Sequence, residues 1–296
     1  MELANETKRG YGYTVIAFLS WGVLPIYWKW LKEIPAWEIL AHRIFWSFVF
    51  VVLILIYRKK LKLKQWLSDK KAMKALVVTA LLVGSNWGVY IYAVNADRIV
   101  EASLGYYITP LVNVALGMLL LNEKLDRLKM VALILAALAV VYLTIDYGKF
   151  PWLSIYLAFS FGFYGLLKKT SGVEAMPALA VETLILTPLA IVFIGMQWFN
   201  DSGALFTSSL NTHLLLIGTG VVTTLPLLWF GLGAQRIPLS SVGFIQYIGP
   251  SLMLLIGIVL YKEPFRYEQI IAFSLIWLAL GFYSYSMIKN RLQKKK

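Results

Sequence analysis

The sequence predicts an all-α polytopic membrane protein, with ten transmembrane helices arranged as two inverted five-helix repeats. Three observations lead there. Of 296 residues, 59% are hydrophobic and 15% charged, far below the roughly one-quarter charged content of soluble domains, so lipid is the solvent this chain suits. The apolar residues fall into ten runs, each near the ~20 residues that cross a hydrocarbon core. A shift of 140 residues then aligns one half of the chain with the other.

The runs of the first half are Tyr11 to Leu31, Ala36 to Tyr57, Met73 to Val94, Ala102 to Leu121 and Leu128 to Ile145. Those of the second are Pro151 to Leu167, Pro177 to Phe199, Leu214 to Ala234, Leu239 to Leu260 and Ile270 to Ile288. The halves divide as 1–148 and 149–296, and no connection is long enough to form a soluble domain. The first run follows Lys8 and Arg9, as in a signal peptide. Its second half, however, carries Trp21, Pro25, Tyr27, Trp28 and Trp30 where cleavage requires small residues, so it reads as a retained helix.

Lys and Arg concentrate in alternate connections, 21 on one side against 6 on the other, with Arg43 inside a helix. Such residues gather on the cytoplasmic side, which places both termini in the cytoplasm and the protein in the cell (inner) membrane. The same confinement to short connections explains the net charge of +13 without nucleic acid, whose binding needs a basic folded face.

Under the 140-residue shift, Ser20, Gly22 and Lys29 fall on Ser160, Gly162 and Lys169. Tyr107, Ile108 and Pro110 fall on Tyr247, Ile248 and Pro250, and Gly117 and Glu123 on Gly257 and Glu263. In the last helices Ala132, Leu135, Leu138 and Ala139 fall on Ala272, Leu275, Leu278 and Ala279. Five helices per unit is odd, so the second unit enters the membrane from the opposite side. Inverted repeats of this kind place a substrate site near the midplane between them.

Ionisable groups inside a bilayer are costly and usually face a cavity or a partner. Glu38, His42 and Arg43 lie in the second run, with Glu38, His42 and Trp46 on one helical face. This cluster reads either as an interfacial ion pair that orients the helix or as a substrate or proton site. Glu182 in the seventh run is expected to be a carboxylate without a partner, either snorkelling to the interface or titrating for proton coupling. Asn86 and Trp87 lie between Gly84 and Gly88, a small-residue packing pair. The Asn86 amide needs hydrogen-bond partners and is a candidate ligand contact, while Trp87 and Trp229 are candidate cavity walls.

Tyr106, Thr109 and Asn113 share one stripe of the fourth run, and the shift puts Gln246, Gly249 and Met253 on the matching stripe of the ninth. Tyr107 and Tyr247 lie beside these stripes. Pro110 and Pro250 each remove a backbone donor and free a carbonyl one turn earlier, so a bend or a lined site is expected at both. Helix packing with satisfied tyrosines is the plainer account of the same pattern. Glu123 and Glu263 read as interfacial caps or gate contacts, and many of the 44 aromatic residues as the interfacial belt.

The chain has no cysteine and only His42 and His213 as histidines. It offers no thiolate or histidine-rich metal site, no metal or other cofactor, and no nucleophile with its base, so an intramembrane enzyme is not expected. It also lacks a phosphate-binding glycine loop for a primary pump and a charged or carbonyl ring for a channel.

The runs NWGVYIYAVNADRIVEASLGYYITPLVNVALG and TTLPLLWFGLGAQRIPLSSVGFIQYIGPSLMLL, with AHRIFWS and KEPF, resemble the RarD-type permeases of the drug/metabolite transporter superfamily, which have the EamA-type fold. The likeness covers essentially the whole chain. It implies ten helices, a central cavity between the halves and alternating access. No catalytic residues carry over, and His42, Arg43, Asn86, Trp87, Glu101, Tyr107 and Tyr247 are candidates because the matching motifs contain them. The expectation is a secondary transporter that exports small metabolites or drug-like molecules, with protons as a possible coupling ion, acting as a monomer or homodimer. A non-transporting sensor or accessory protein that keeps the fold is the alternative.

Overall fold

The structure, a computed structural model, describes residues 2–59, 69–96, 98–200, 202–262 and 267–293. Glu263, Arg266 and the basic residues Lys60, Lys62 and Lys64 lie outside the described residues. Among those described, every regular element is a helix. In chain order they are α1 (Glu2–Trp30), α2 (Ala36–Tyr57), α3 (Lys70–Asn95), α4 (Ile99–Leu120), α5 (Arg127–Tyr147) and α6 (Trp152–Thr170). These are followed by α7 (Ala175–Phe199), the short α8 (Ala204–Thr207), α9 (Leu210–Ala234), α10 (Leu239–Gln246), α11 (Ile248–Val259) and α12 (Tyr267–Gln293).

Counting α10 and α11 as one rod, eight of these are long and apolar enough to cross a membrane. The other two long helices, α1 and α6, substitute Gly, Ser, Tyr, Trp and Phe for aliphatic residues. Three differences from the sequence reading have local reasons. Helix α1 begins nine residues before Tyr11, at Glu2, where Arg9 pairs with Glu6 three positions earlier at 2.8 Å. Helix α6 runs on past Leu167 to Thr170, so Lys168 belongs to the bundle rather than to a connection.

The third difference concerns the prolines. Pro110 lies inside α4, which continues through it. At Pro250 the rod tightens at Tyr247, which stays helical in dihedrals (φ −62°, ψ −14°) while its N–H turns to Phe244 O at 3.4 Å. Pro250 has no N–H to offer the carbonyl of Gln246, which is the local cause.

Lipid tails supply no net hydrophobic drive between helices, so close approach and buried polar pairs hold such a bundle together. Ala132, Ala136 and Ala139 of α5 lie against Ala272, Ile276 and Ala279 of α12 in one cluster, all fully buried. Helix α4 crosses α10 at Gly243, where a Cβ would stand 2.5 Å from the Pro110 carbonyl oxygen. Gly162 of α6 lies on Val112 of α4, and Gly22 of α1 on Leu252 of α11. Helix α2 packs on α7 and α9, and α3 on α6 and α7.

Both chain ends lie at one end of the bundle, called here the terminal end. There Arg236, in the α9–α10 connection, bonds Glu6 of α1 at 2.8 Å. Asp126, the cap of α5, accepts from Ser286 (2.5 Å) and Asn290 (2.8 Å) of α12 and from the Lys129 backbone N–H (3.0 Å). Partial burial raises the Asp126 pKa, but the Ser286, Lys129 and Asn290 hydrogen bonds outweigh that and hold it at about 2.

A carboxylate with a depressed pKa stabilises the fold above its unfolded value of roughly 3.9, and that contribution disappears as pH falls towards the folded value. Asp126→Asn keeps an N-capping side chain but removes the titration. The melting-temperature gap between wild type and Asp126→Asn in detergent should therefore be constant above about pH 4 and shrink below it. A gap that is flat to lower pH would show that Asp126 does not stabilise the fold through its charge.

Candidate functional site

The side chains of five helices converge on Arg43. Its Nε donates to Thr223 Oγ1 of α9 at 3.2 Å. The guanidinium lies over Trp87 of α3 at 4.5 Å and over Trp28 of α1 at 5.4 Å. Tyr90 of α3 and Tyr106 of α4 are its electrostatic neighbours, and their rings meet edge to face at 6.0 Å. Tyr106 keeps 39% of its surface accessible. Arg43 and Tyr106 each lie seven residues into α2 and α4, about 10 Å from the end opposite the termini at 1.5 Å per residue.

Towards the terminal end an aromatic plug closes the space. Trp21 meets Phe161 at 5.8 Å and Phe230 at 5.8 Å, Phe18 meets Phe230 at 6.0 Å, and Tyr164 stacks on Phe230 at 6.0 Å. Phe18, Tyr164 and Phe230 are buried. The plug comes from α1, α6 and α9, which explains why α1 and α6 are aromatic rather than aliphatic. Below it, Lys169 Nζ donates to Ile237 O at 2.6 Å, Tyr11 shares a hydrogen bond with Ser241, and Glu123 caps α10 through Leu239 N, Ser240 N and Ser240 Oγ. Glu123 thus makes the cap contact the sequence suggests, but to a helix more than 100 residues away.

The remaining sequence candidates divide between polar packing and buried groups without partners. Asn86 spends its amide hydrogens on Leu157 O and Ser160 Oγ, both at 2.9 Å, tying α3 to α6. Asn113 Nδ2 donates to Gln246 Oε1 at 2.7 Å across the α4–α10 crossing, while Asn113 Oδ1 is buried without a partner. Tyr247 donates to Tyr107 O at 3.2 Å. Glu38 Oε1 accepts the Ala204 N–H at 2.6 Å and His213 Nε2 bonds Ala204 O at 2.9 Å, so α8 is held from both sides. Among the described residues, Glu38 Oε2, Trp46 Nε1 and both ring nitrogens of His42 are buried and find no hydrogen-bond partner.

Glu182 is not alone, contrary to the sequence expectation. Lys168 Nζ reaches both its oxygens at 2.9 Å, Thr79 donates to Oε1 at 2.7 Å, and Tyr164 donates to Oε2 at 3.3 Å. The extra turn of α6 carries Lys168 inside, where it is 2% exposed. Sequence reasoning also missed Glu101 as a hub: it accepts from Arg98, Tyr147 and the Leu153 N–H, and its carbonyl accepts from Ser154. Its position inside a matching motif was the available signal. Among the described residues, no three His, Cys, Asp or Glu side chains cluster to hold a metal.

With this geometry described, similarity to known proteins decides the family. The EamA-like transporter family matches residues 8–145. The "Uncharacterized transporter YojE" of Bacillus subtilis is 45% identical over 98% of each chain. "Protein RarD" of Escherichia coli is 39% identical over 99% of each. This chain belongs to the RarD-type EamA transporter family. A "Chloramphenicol-sensitive protein RarD" of Pseudomonas aeruginosa is 28% identical over 87% of each chain. One solved crystal structure, 17% identical, superposes with a TM-score of 0.70 over 94% of this chain and 96% of its own, and so shares the fold.

Breaking a buried ion pair from one side leaves an uncompensated charge, which costs about 3–5 kcal/mol, whereas removing both partners can be neutral. Lys168→Met should therefore lower thermal stability in detergent sharply, and Lys168→Met with Glu182→Leu should recover most of the loss. A double variant no more stable than Lys168→Met would show that the pair is not what holds α6 to α7.

Proposed function

We propose that this protein is a secondary transporter that moves small organic molecules by alternating access through the Arg43 chamber. The observation that carries this reading is Arg43, a cation inside an apolar helix with one hydrogen bond among the described residues, indole faces beside it and accessible terminal nitrogens, above an aromatic cluster nearer the terminal end. Charge retained inside a membrane protein marks a substrate path by default. The candidate lining is Arg43, Trp28, Trp87, Tyr90 and Tyr106, with Asn86, Asn113, Gln246, Tyr107 and Tyr247 holding the helices around it.

In the same reading, ten helices cross the inner membrane with both termini in the cytoplasm, and residues 1–148 and 149–296 are inverted repeats. Several equivalences at a 140-residue separation support this. Tyr247 donates to the carbonyl of its counterpart Tyr107, Gly22 on Leu252 matches Gly162 on Val112, and α5 meets its counterpart α12. Asn122 and Lys262 both adopt left-handed dihedrals, at φ 54° and 56°. One chain carries both halves, so a monomer suffices. His42, one turn from Glu38 and without hydrogen bonds, is the proposed proton-coupling group, because Glu182 is already neutralised by Lys168.

The cysteine-free chain allows a direct test. A Cβ at Gly10 would lie 2.6 Å from Arg236 Cβ, so Gly10→Cys with Arg236→Cys brings the two thiols together once α1 and the α9–α10 connection separate by about 1 Å to reach disulfide range, and the disulfide should lock the terminal end shut. Proteoliposomes would be assayed with phenylacetate, phenylalanine, glucose and chloramphenicol, the last because of the Pseudomonas relative's printed name. At least one probe should enter faster than in empty liposomes, stop on oxidation and resume on reduction. Flux that continues through a fully oxidised protein would overturn alternating access, and a probe that stabilises the protein without moving would favour the sensor reading.

A further inference from the structure

We propose that the Arg43 chamber selects organic monoanions, namely a single carboxylate on a flat apolar body. This deepens the transporter reading and rests on it for its setting. Arginine offers five N–H donors, and Arg43 uses one of them, at Nε, on Thr223. Among the described residues its terminal nitrogens make no hydrogen bond and are not sealed away from solvent. No carboxylate serves as its counter-ion: its electrostatic neighbours are phenols, and it joins none of the ion pairs found among the described residues.

The contrast with Lys168 sharpens the point. That cation, 2% exposed, has a carboxylate at 2.9 Å. Arg43 has instead two indole faces and an open front. A guanidinium fork matches a carboxylate with two parallel hydrogen bonds, and the Tyr106 hydroxyl beside Arg43, which pairs with Tyr90, would donate a third by turning from Tyr90 to the ligand. The stem of the ligand would then lie along Trp28, Trp87 and Tyr90, whose rings supply apolar area with fixed geometry.

One fixed positive charge also sets what is rejected. A cation in the chamber meets uncompensated repulsion in a low-dielectric setting. A doubly charged phosphate ester would bring one charge more than Arg43 neutralises. A neutral amide of the same shape keeps the aromatic contacts but loses the charged fork.

The test compares phenylacetate, phenylacetamide, phenethylamine and phenyl phosphate by calorimetry and thermal stabilisation on the full-length protein in detergent. Wild type should bind phenylacetate about 10- to 100-fold more tightly than phenylacetamide, the range expected of a hydrogen bond to a charged group. Phenethylamine and phenyl phosphate should bind more weakly than phenylacetate. Arg43→Gln should remove the phenylacetate advantage and leave phenylacetamide unchanged, which a merely structural role for Arg43 would not do. Tyr106→Phe, which leaves the charge in place, should weaken phenylacetate several-fold and phenylacetamide not at all, and it serves if Arg43→Gln does not fold.

Equal binding of phenylacetamide, phenethylamine or phenyl phosphate by wild type overturns the proposal, as does unaltered phenylacetate binding in Arg43→Gln or no binding of any of the four. Binding in micelles does not require flux. Selective phenylacetate binding without flux would overturn the transporter reading and keep the anion site, while flux of a neutral probe without phenylacetate binding would do the reverse.

Discussion

Close approach of helices at small residues is the constraint on which the rest of this structure depends. Hydrocarbon tails compete with leucine for every apolar contact, so association must come from dispersion at short range and from polar groups that have nowhere else to bond. The alanine seam of α5 and α12 and the glycine contacts of α1 with α11 and α6 with α4 supply the first. Asn86 with Leu157 and Ser160, Asn113 with Gln246, and Glu101 with α6 supply the second. Larger side chains at Gly22 or Gly162 would push apart the helices that frame the plug.

Carboxylates in this fold act mainly as remote helix caps. Glu38 receives the first residue of α8, Glu101 a first-turn N–H of α6, and Glu123 the first two residues of α10. A helix N-terminus leaves N–H groups without intrahelical partners, and a carboxylate there is favoured by the helix dipole as well. Each cap joins elements distant in sequence. Carboxylates are thereby consumed in architecture, and Lys168 takes the remaining buried one, Glu182.

That allocation leaves Arg43 as the exception. The same bundle that matches Lys168 with a carboxylate gives Arg43 only Thr223 and aromatic faces. Indole faces attract a cation by about 0.5–2 kcal/mol each, too little to offset a charge held at this depth without water or an anion. The aromatic cluster of Phe18, Trp21, Phe161, Tyr164 and Phe230 lies between Arg43 and the terminal end.

The all-helical fold and its membrane-length segments were legible in the sequence because lipid imposes a one-dimensional signal, the length of each apolar run. Helix α2 was placed to the residue. The residue types of the site were legible too, since any charge inside a 20-residue apolar run stands out. Partnership was not, because it depends on which faces of which helices meet. One extra turn of α6 converted Lys168 from a loop residue into the counter-ion of Glu182, while Arg43, beside His42 in sequence, points about 100° away from it, the turn per residue of a helix. Hydropathy therefore determined which segments are long and apolar enough to enter the membrane, and tertiary packing alone decided which buried charge met a carboxylate, Lys168, and which met only a hydroxyl and aromatic faces, Arg43.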